Sequence, residues 1–108
     1  MCGRFALTTN LGAVANRFGV NVLREESAAR SPRHNIAPTQ AVIVVSDDGT
    51  RHLMQMRWGL IPSWAKDPAI GNRMINARAE TLAVKPAFRV ALRKRRCLVP
   101  ADGLYEWQ

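Results

Sequence analysis

Cysteine is scarce in this chain of 108 residues: Cys2 and Cys97 are its only two, one near each end. With no CxxC pair and no His/Cys cluster, neither a zinc site nor a disulfide framework is expected, and no metal or organic cofactor is called for. Acidic residues are also few, eight against 16 lysines and arginines, for a formal net charge of +8. Long apolar runs are absent. The longest, AVIVV at 41–45, is far too short to span a bilayer. Phe5 to Leu7 is too short for the apolar centre of a signal peptide, so the expected location is the cytosol, or a nucleus reached by other means. There is no internal repeat, low-complexity tract or interdomain linker, and 47% apolar residues suffice for one small packed domain.

What is abundant is arginine. Only Lys66, Lys85 and Lys94 among the basic residues are lysines. Arginine presents a flat, bidentate fork that matches phosphate, whereas lysine is closer to a point charge. Charge alone leaves two readings open, a nucleic-acid partner or a basic solvated surface.

The pattern along the chain predicts a mixed α+β domain of hairpins and short helices, not a βαβ alternation. Arg4–Thr8 reads as a strand. Leu11, Val14, Ala15 and Phe18 recur at helical spacing after a capping Thr9 or Asn10 and before Gly19. Residues 24–40 read as a long ordered loop. AVIVVS at 41–46 and RHLMQMRWG at 51–59 form a hairpin about the DDGT turn. A helix is expected to start near Ala79, and another at Pro86, with Arg89, Arg93 and Arg96 along one face. RCLVP and LYEW read as closing strands about a DG turn. Cys97 within RCLVP reads as a small buried hydrophobe.

Cys2 is different, because it has no apolar run around it. Initiator methionine is normally trimmed ahead of a small side chain, which would leave a free α-amine beside the thiol. Such amines and thiols titrate at about 8. A 1,2-aminothiol condenses with an aldehyde: the amine forms an imine, and the thiolate closes on it to give a thiazolidine ring. The opened sugar of an abasic site is an aldehyde within a polyanion, which suits an arginine-rich protein. The alternative is a mobile terminal cysteine with no role.

Five stretches taken together, MCGRF, NIAPTQ at 35–40, WGLIPSWAKD at 58–67, NARAET at 76–81 and RCLVPADGLYEW at 96–107, resemble the SRAP domain family. Those are the SOS response-associated peptidases, whose animal members shield abasic sites. The resemblance implies a bent, barrel-like antiparallel sheet with a basic cleft. It implies that Cys2, after loss of Met1, crosslinks to abasic sites in single-stranded DNA. It implies that Asn76 holds the Cys2 end, that Glu106 supports proton transfer and Met1 removal, that Arg4 and Arg78 line the DNA cleft, and that Trp58 and Trp64 contact DNA or shape the cleft. The residue types suit these tasks: an amide orients an amine, a carboxylate shuttles protons, a guanidinium holds phosphate, and an indole stacks on bases. Each also has a plain structural reading, as a turn residue, a strand-face carboxylate or core packing. The resemblance reaches the first half of the family's domain only, so 1–108 is expected to be incomplete at its C-terminal end. It stops before a later HxRMP motif, and neither His34 nor His52 lies in such a motif. An unpaired LYEW edge would favour self-association. A cysteine peptidase, whether general or acting on Met1 alone, and a non-covalent single-strand binder are the competing functions.

Overall fold

The computed structural model describes residues 2–23 and 32–107. Its backbone is organised around one long hairpin. β4 (Ala41–Asp47) and β5 (Arg51–Arg57) pair antiparallel, from Ala41 opposite Arg57 to Asp47 opposite Arg51. Val42 to Val45 are all buried, so both faces of β4 are covered, which is why it reads as a continuous apolar run without alternation. Gly49 closes the turn at φ 105, and the Asp47 carboxylate accepts from its N–H at 2.9 Å.

The hairpin is the middle of a four-stranded sheet of order β2-β5-β4-β6, with β2 at Val22–Leu23 and β6 at Cys97–Leu98. β2 runs parallel to β5, the one departure from the antiparallel pairing expected. A second sheet has the order β3-β1-β7, with β1 at Phe5–Leu7, β3 at Arg33–Ile36 and β7 at Gly103–Leu104. The architecture is thus α+β. One core lies between these parts: Phe5, Leu7 and Ile36 from one sheet, Val42–Val45 and Leu53 from the other, and Val14, Ala15 and Val20 from the helical segment. Phe5 meets Trp58 across the sheets, ring centroids 5.4 Å apart at 57°.

α1 (Leu11–Arg17) starts where its sequence says it should. The Asn10 side chain accepts from the Ala13 N–H at 2.8 Å, Val14 and Ala15 are buried, and Leu11 and Phe18 pack at the rim of the core.

Four expectations need correction. Residues 33–36 are a strand, not loop: Ile36 is 1% exposed and β3 pairs with β1, although its polar RHNI sequence hides this (24–31 lie outside the described residues). No helix starts near Ala79; residues 79–84 make isolated turns, such as Thr81 N–H to Arg78 and Lys85 N–H to Thr81, before Pro86. The second helix, α2 (Arg89–Lys94), begins three residues after Pro86 and has no buried residue. Cys97 is exposed rather than buried, and partial burial of its thiol still pushes its pKa up.

The ending also differs from its sequence pattern. LYEW does have a partner: Leu104 and Gly103 pair with Phe5 and Ala6, and the Tyr105 N–H donates to the Arg4 carbonyl at 3.1 Å. β7 is paired on one side by β1, and among the described residues its other side is an edge of the sheet. No helix among the described residues is long and apolar enough to cross a membrane.

Candidate active site

β1 is the central strand of its sheet, so the first residues of the chain are anchored from both sides. The residues just before it, Cys2, Gly3 and Arg4, form one wall of a cleft of about 790 Å³. Ile75, Asn76, Tyr105, Glu106 and Trp107 complete it. Cys2 and Arg4 thus face one space with Asn76 and Glu106, which lie far from them in sequence.

The contact that joins them is specific. The Asn76 side-chain amide donates to the Cys2 carbonyl at 2.7 Å, with Asn76 half-buried. Arg4 is exposed, lines the cleft and donates to the Asn35 side chain at 3.2 Å. The Cys2 thiol points toward the Arg4 carbonyl, 3.7 Å away. Tyr105 reaches across the sheet, its hydroxyl donating to the His34 carbonyl at 2.8 Å. This fixes the segment that carries Glu106.

Asn76 is placed by a backbone seam. The Trp58 indole N–H donates to the Ile75 carbonyl at 2.9 Å, and the Leu60 N–H donates to the Met74 carbonyl at 2.9 Å. Residues 74–76 are therefore laid along residues 58–60. The seam depends on two glycines. Gly59 has φ 127, and a Cβ there would lie 2.3 Å from the Gly71 carbonyl oxygen. The WG dipeptide is a point of close backbone approach.

A second cavity, about 480 Å³ and mainly apolar, lies on the other side of Cys2. Phe5, Val44, Trp58, Cys97 and Leu104 are among its walls. Cys2 lines both spaces, so it stands at the boundary between a polar cleft and an apolar one.

The remaining predicted residues lie elsewhere. Arg78 is exposed two residues beyond Asn76 and does not line the cleft. Trp58 is half-buried, with its indole N–H occupied, and holds the seam without facing the cleft. Trp64 is 63% exposed and lines a separate shallow depression with Lys66, Asp67 and Arg73.

One important residue carries no obvious sequence signal. Asp102 reads as half of a DG turn, yet its carboxylate accepts from the N–H and hydroxyl groups of both Thr8 and Thr9, at 2.6 to 3.2 Å. Bonds from the Thr9 backbone and hydroxyl, then the Thr8 backbone, hold its pKa down at about 2. The clasp ties the end of β1 to the segment leading into β7. It thereby helps hold β7, which leads into the cleft-lining residues Tyr105, Glu106 and Trp107, beside β1. The only hint was the hydroxyl pair TT beside the first strand.

The sequence matches the family described as SOS response associated peptidase (SRAP) over residues 1–108. It is 46% identical over 109 residues to the abasic site processing protein YoqW of Bacillus subtilis (strain 168), covering 100% of this chain and 48% of that protein. It is 48% identical over 67 residues to the abasic site processing protein HMCES of Mus musculus, covering 58% of this chain and 19% of that one. An X-ray structure of a protein from Bacteroides thetaiotaomicron superposes with a TM-score of 0.84 at 25% identity, over 99% of this chain and 49% of that one. The chain spans about half the length of its Bacillus relatives. With its five motifs, its α+β fold and this match from end to end, the chain belongs to the SOS response associated peptidase (SRAP) family.

Proposed function

We propose that this chain recognises abasic sites in single-stranded DNA and bonds to them through Cys2 once Met1 has been removed. The observation that carries the reading is the 2.7 Å bond from Asn76 to the Cys2 carbonyl, in a cleft that Arg4 and Glu106 also line. That bond fixes the backbone of the residue whose α-amine would attack, which lowers the entropic cost of reaction. The relatives' names, abasic site processing proteins, support the same substrate.

The chemistry balances as follows. The α-amine adds to the aldehyde of the opened sugar, and loss of water gives an imine. The thiolate adds to the imine carbon, and the nitrogen takes up a proton, giving a thiazolidine. Water is the only product released. Glu106 is proposed to ferry the protons and to assist Met1 removal. Arg4 is proposed to hold a phosphate beside the lesion, with Arg78 and Trp64 farther along the bound strand. The adduct would shield the lesion. The site would act wherever such DNA lies, in a nucleoid or a nucleus. Domain 1–108 is proposed to be the amine-bearing half of the site, and self-association would use the open edge of β7.

Intact-mass measurement of the protein mixed with an abasic single-stranded oligonucleotide tests this reading. The expected product is protein without Met1 plus oligonucleotide minus water. Cys2→Ala should give at most a reducible imine. Equal, stable adduct from that variant without reductant would sink the thiazolidine. Sustained turnover of unrelated peptides would favour a peptidase, and binding indifferent to the lesion would favour a simple strand binder.

A further inference from the structure

Six of the chain's net eight positive charges fall in residues 85–96: Lys85, Arg89, Arg93, Lys94, Arg95 and Arg96, with no acidic residue among them. The rest of the chain is nearly balanced. All six side chains are exposed. Among the described residues the ion pairs are Arg51 with Asp47 and His52 with Asp48, and none reaches this segment. We propose that this segment is a phosphate-binding surface for a nucleic-acid strand, separate from the cleft at Cys2. This rests on the DNA reading above.

Two ordinary explanations account for part of the charge only. Cations near a helix C-terminus are favoured by the helix dipole. Arg93 and Lys94 lie in the last turn of α2, and the Arg96 Nε–H donates to the Leu92 carbonyl at 2.6 Å. Arg89, however, is the first residue of α2, and Lys85 precedes it. Cations there oppose the dipole, and the first turn has no acid to offset them. The second explanation is solubility. Surfaces serving solubility alone intersperse both signs, and this one does not.

The placement suits an extended polyanion. α2 runs through Arg95 and Arg96 directly into β6, and Cys97 of β6 lines the same apolar cavity as Cys2. The basic segment is thereby joined to a wall that also bears the reactive terminus. Four of the six cations are arginine, which favours bidentate phosphate contacts over the looser field of a lysine patch. Membranes attract basic segments too, but α2 offers little free apolar surface: Ala91 and Leu92, with Phe88 just before the helix, are already half-buried, and Val90 is its one exposed apolar residue, at 38%.

The test separates this surface from the covalent chemistry. The probe is a fluorescent single-stranded oligonucleotide carrying a tetrahydrofuran abasic analogue, which has no aldehyde. Its affinity is measured as a function of salt for the full chain and for the triple variant R89Q/R93Q/R95Q. Each lost phosphate contact removes about 0.7 from the log–log salt slope, so the expected fall is about 2, with affinity at low salt reduced about tenfold or more. Adduct yield with a reactive oligonucleotide at saturating protein should be unchanged. Circular dichroism verifies folding, and R89Q alone, with an expected slope change of about 0.7, serves if the triple variant does not fold. An unchanged slope overturns the proposal, as does loss of binding to anionic phosphatidylserine vesicles in the variant with the oligonucleotide slope intact. Loss of crosslinking in wild-type protein would instead count against the Cys2 reading, since the analogue does not react.

Discussion

The side-chain amide of Asn76 lies 2.7 Å from the carbonyl oxygen of Cys2 and donates to it, joining two residues 74 positions apart in sequence. Asn76→Ala removes the donor and leaves the carbonyl unpaired at a half-buried position. The expected cost is about 1 kcal/mol of stability. Adduct formation should slow about tenfold to a hundredfold, because the attacking residue loses its orientation. Asn76→Asp replaces a donor with an acceptor facing an acceptor and should be slower still. Single-turnover kinetics beside thermal denaturation separates the two effects.

Trp58 and Trp64 should behave oppositely. Trp58→Phe keeps the ring against Phe5 but strands the Ile75 carbonyl, at an expected cost of about 1–2 kcal/mol. It should also slow adduct formation, through displacement of Asn76. Trp64→Ala, at an exposed position, should change stability by less than about 0.5 kcal/mol. If a base stacks on it, that variant weakens DNA binding without slowing the reaction of bound DNA.

Gly59→Ala sets a methyl group 2.3 Å from the Gly71 carbonyl at a backbone angle that disfavours side chains. The expected destabilisation is on the order of 3 kcal/mol, read by urea denaturation. Wild-type stability in that variant would mean that residues 59 and 71 do not approach as described.

Asp102 gives a pH signature. Its pKa is lowered from 3.8 to about 2 by the hydroxyl and amide groups of Thr8 and Thr9. A carboxylate depressed on folding contributes stability above its ordinary pKa and loses it as the pH falls through the folded value. The melting temperature should therefore drop between about pH 4 and pH 2. Asp102→Asn should be less stable at neutral pH and lack most of that drop. An identical acid profile in both proteins would remove Asp102 from the account.

The sequence made the parts with strong local pattern legible. The 41–57 hairpin and α1 have β-branched or helical periodicity and a turn or cap that agrees with it. β3 was hidden because RHNI is polar, and its strand state comes from pairing with β1, a long-range contact. The helix expected at Ala79 failed because Pro86 and isolated turns govern that stretch. At the site, the resemblance named residues that do share a cleft, Cys2, Arg4, Asn76 and Glu106, and beside them Arg78, Trp58 and Trp64, none of which lines it. Asp102 was missed because a turn aspartate is unremarkable until the threonines it clasps are folded beside it.

The central position of β1 has a consequence for the order of events during synthesis. Its partners come from residues 33–36 and 103–104, so β1 is made before both and is completed only when the later one arrives. At ordinary translation rates about 5–20 s separate the emergence of the two ends. Until residue 76 emerges, the Asn76 bond to the Cys2 carbonyl cannot form. If Met1 is removed as proposed, that removal can precede the anchoring of Cys2 by Asn76.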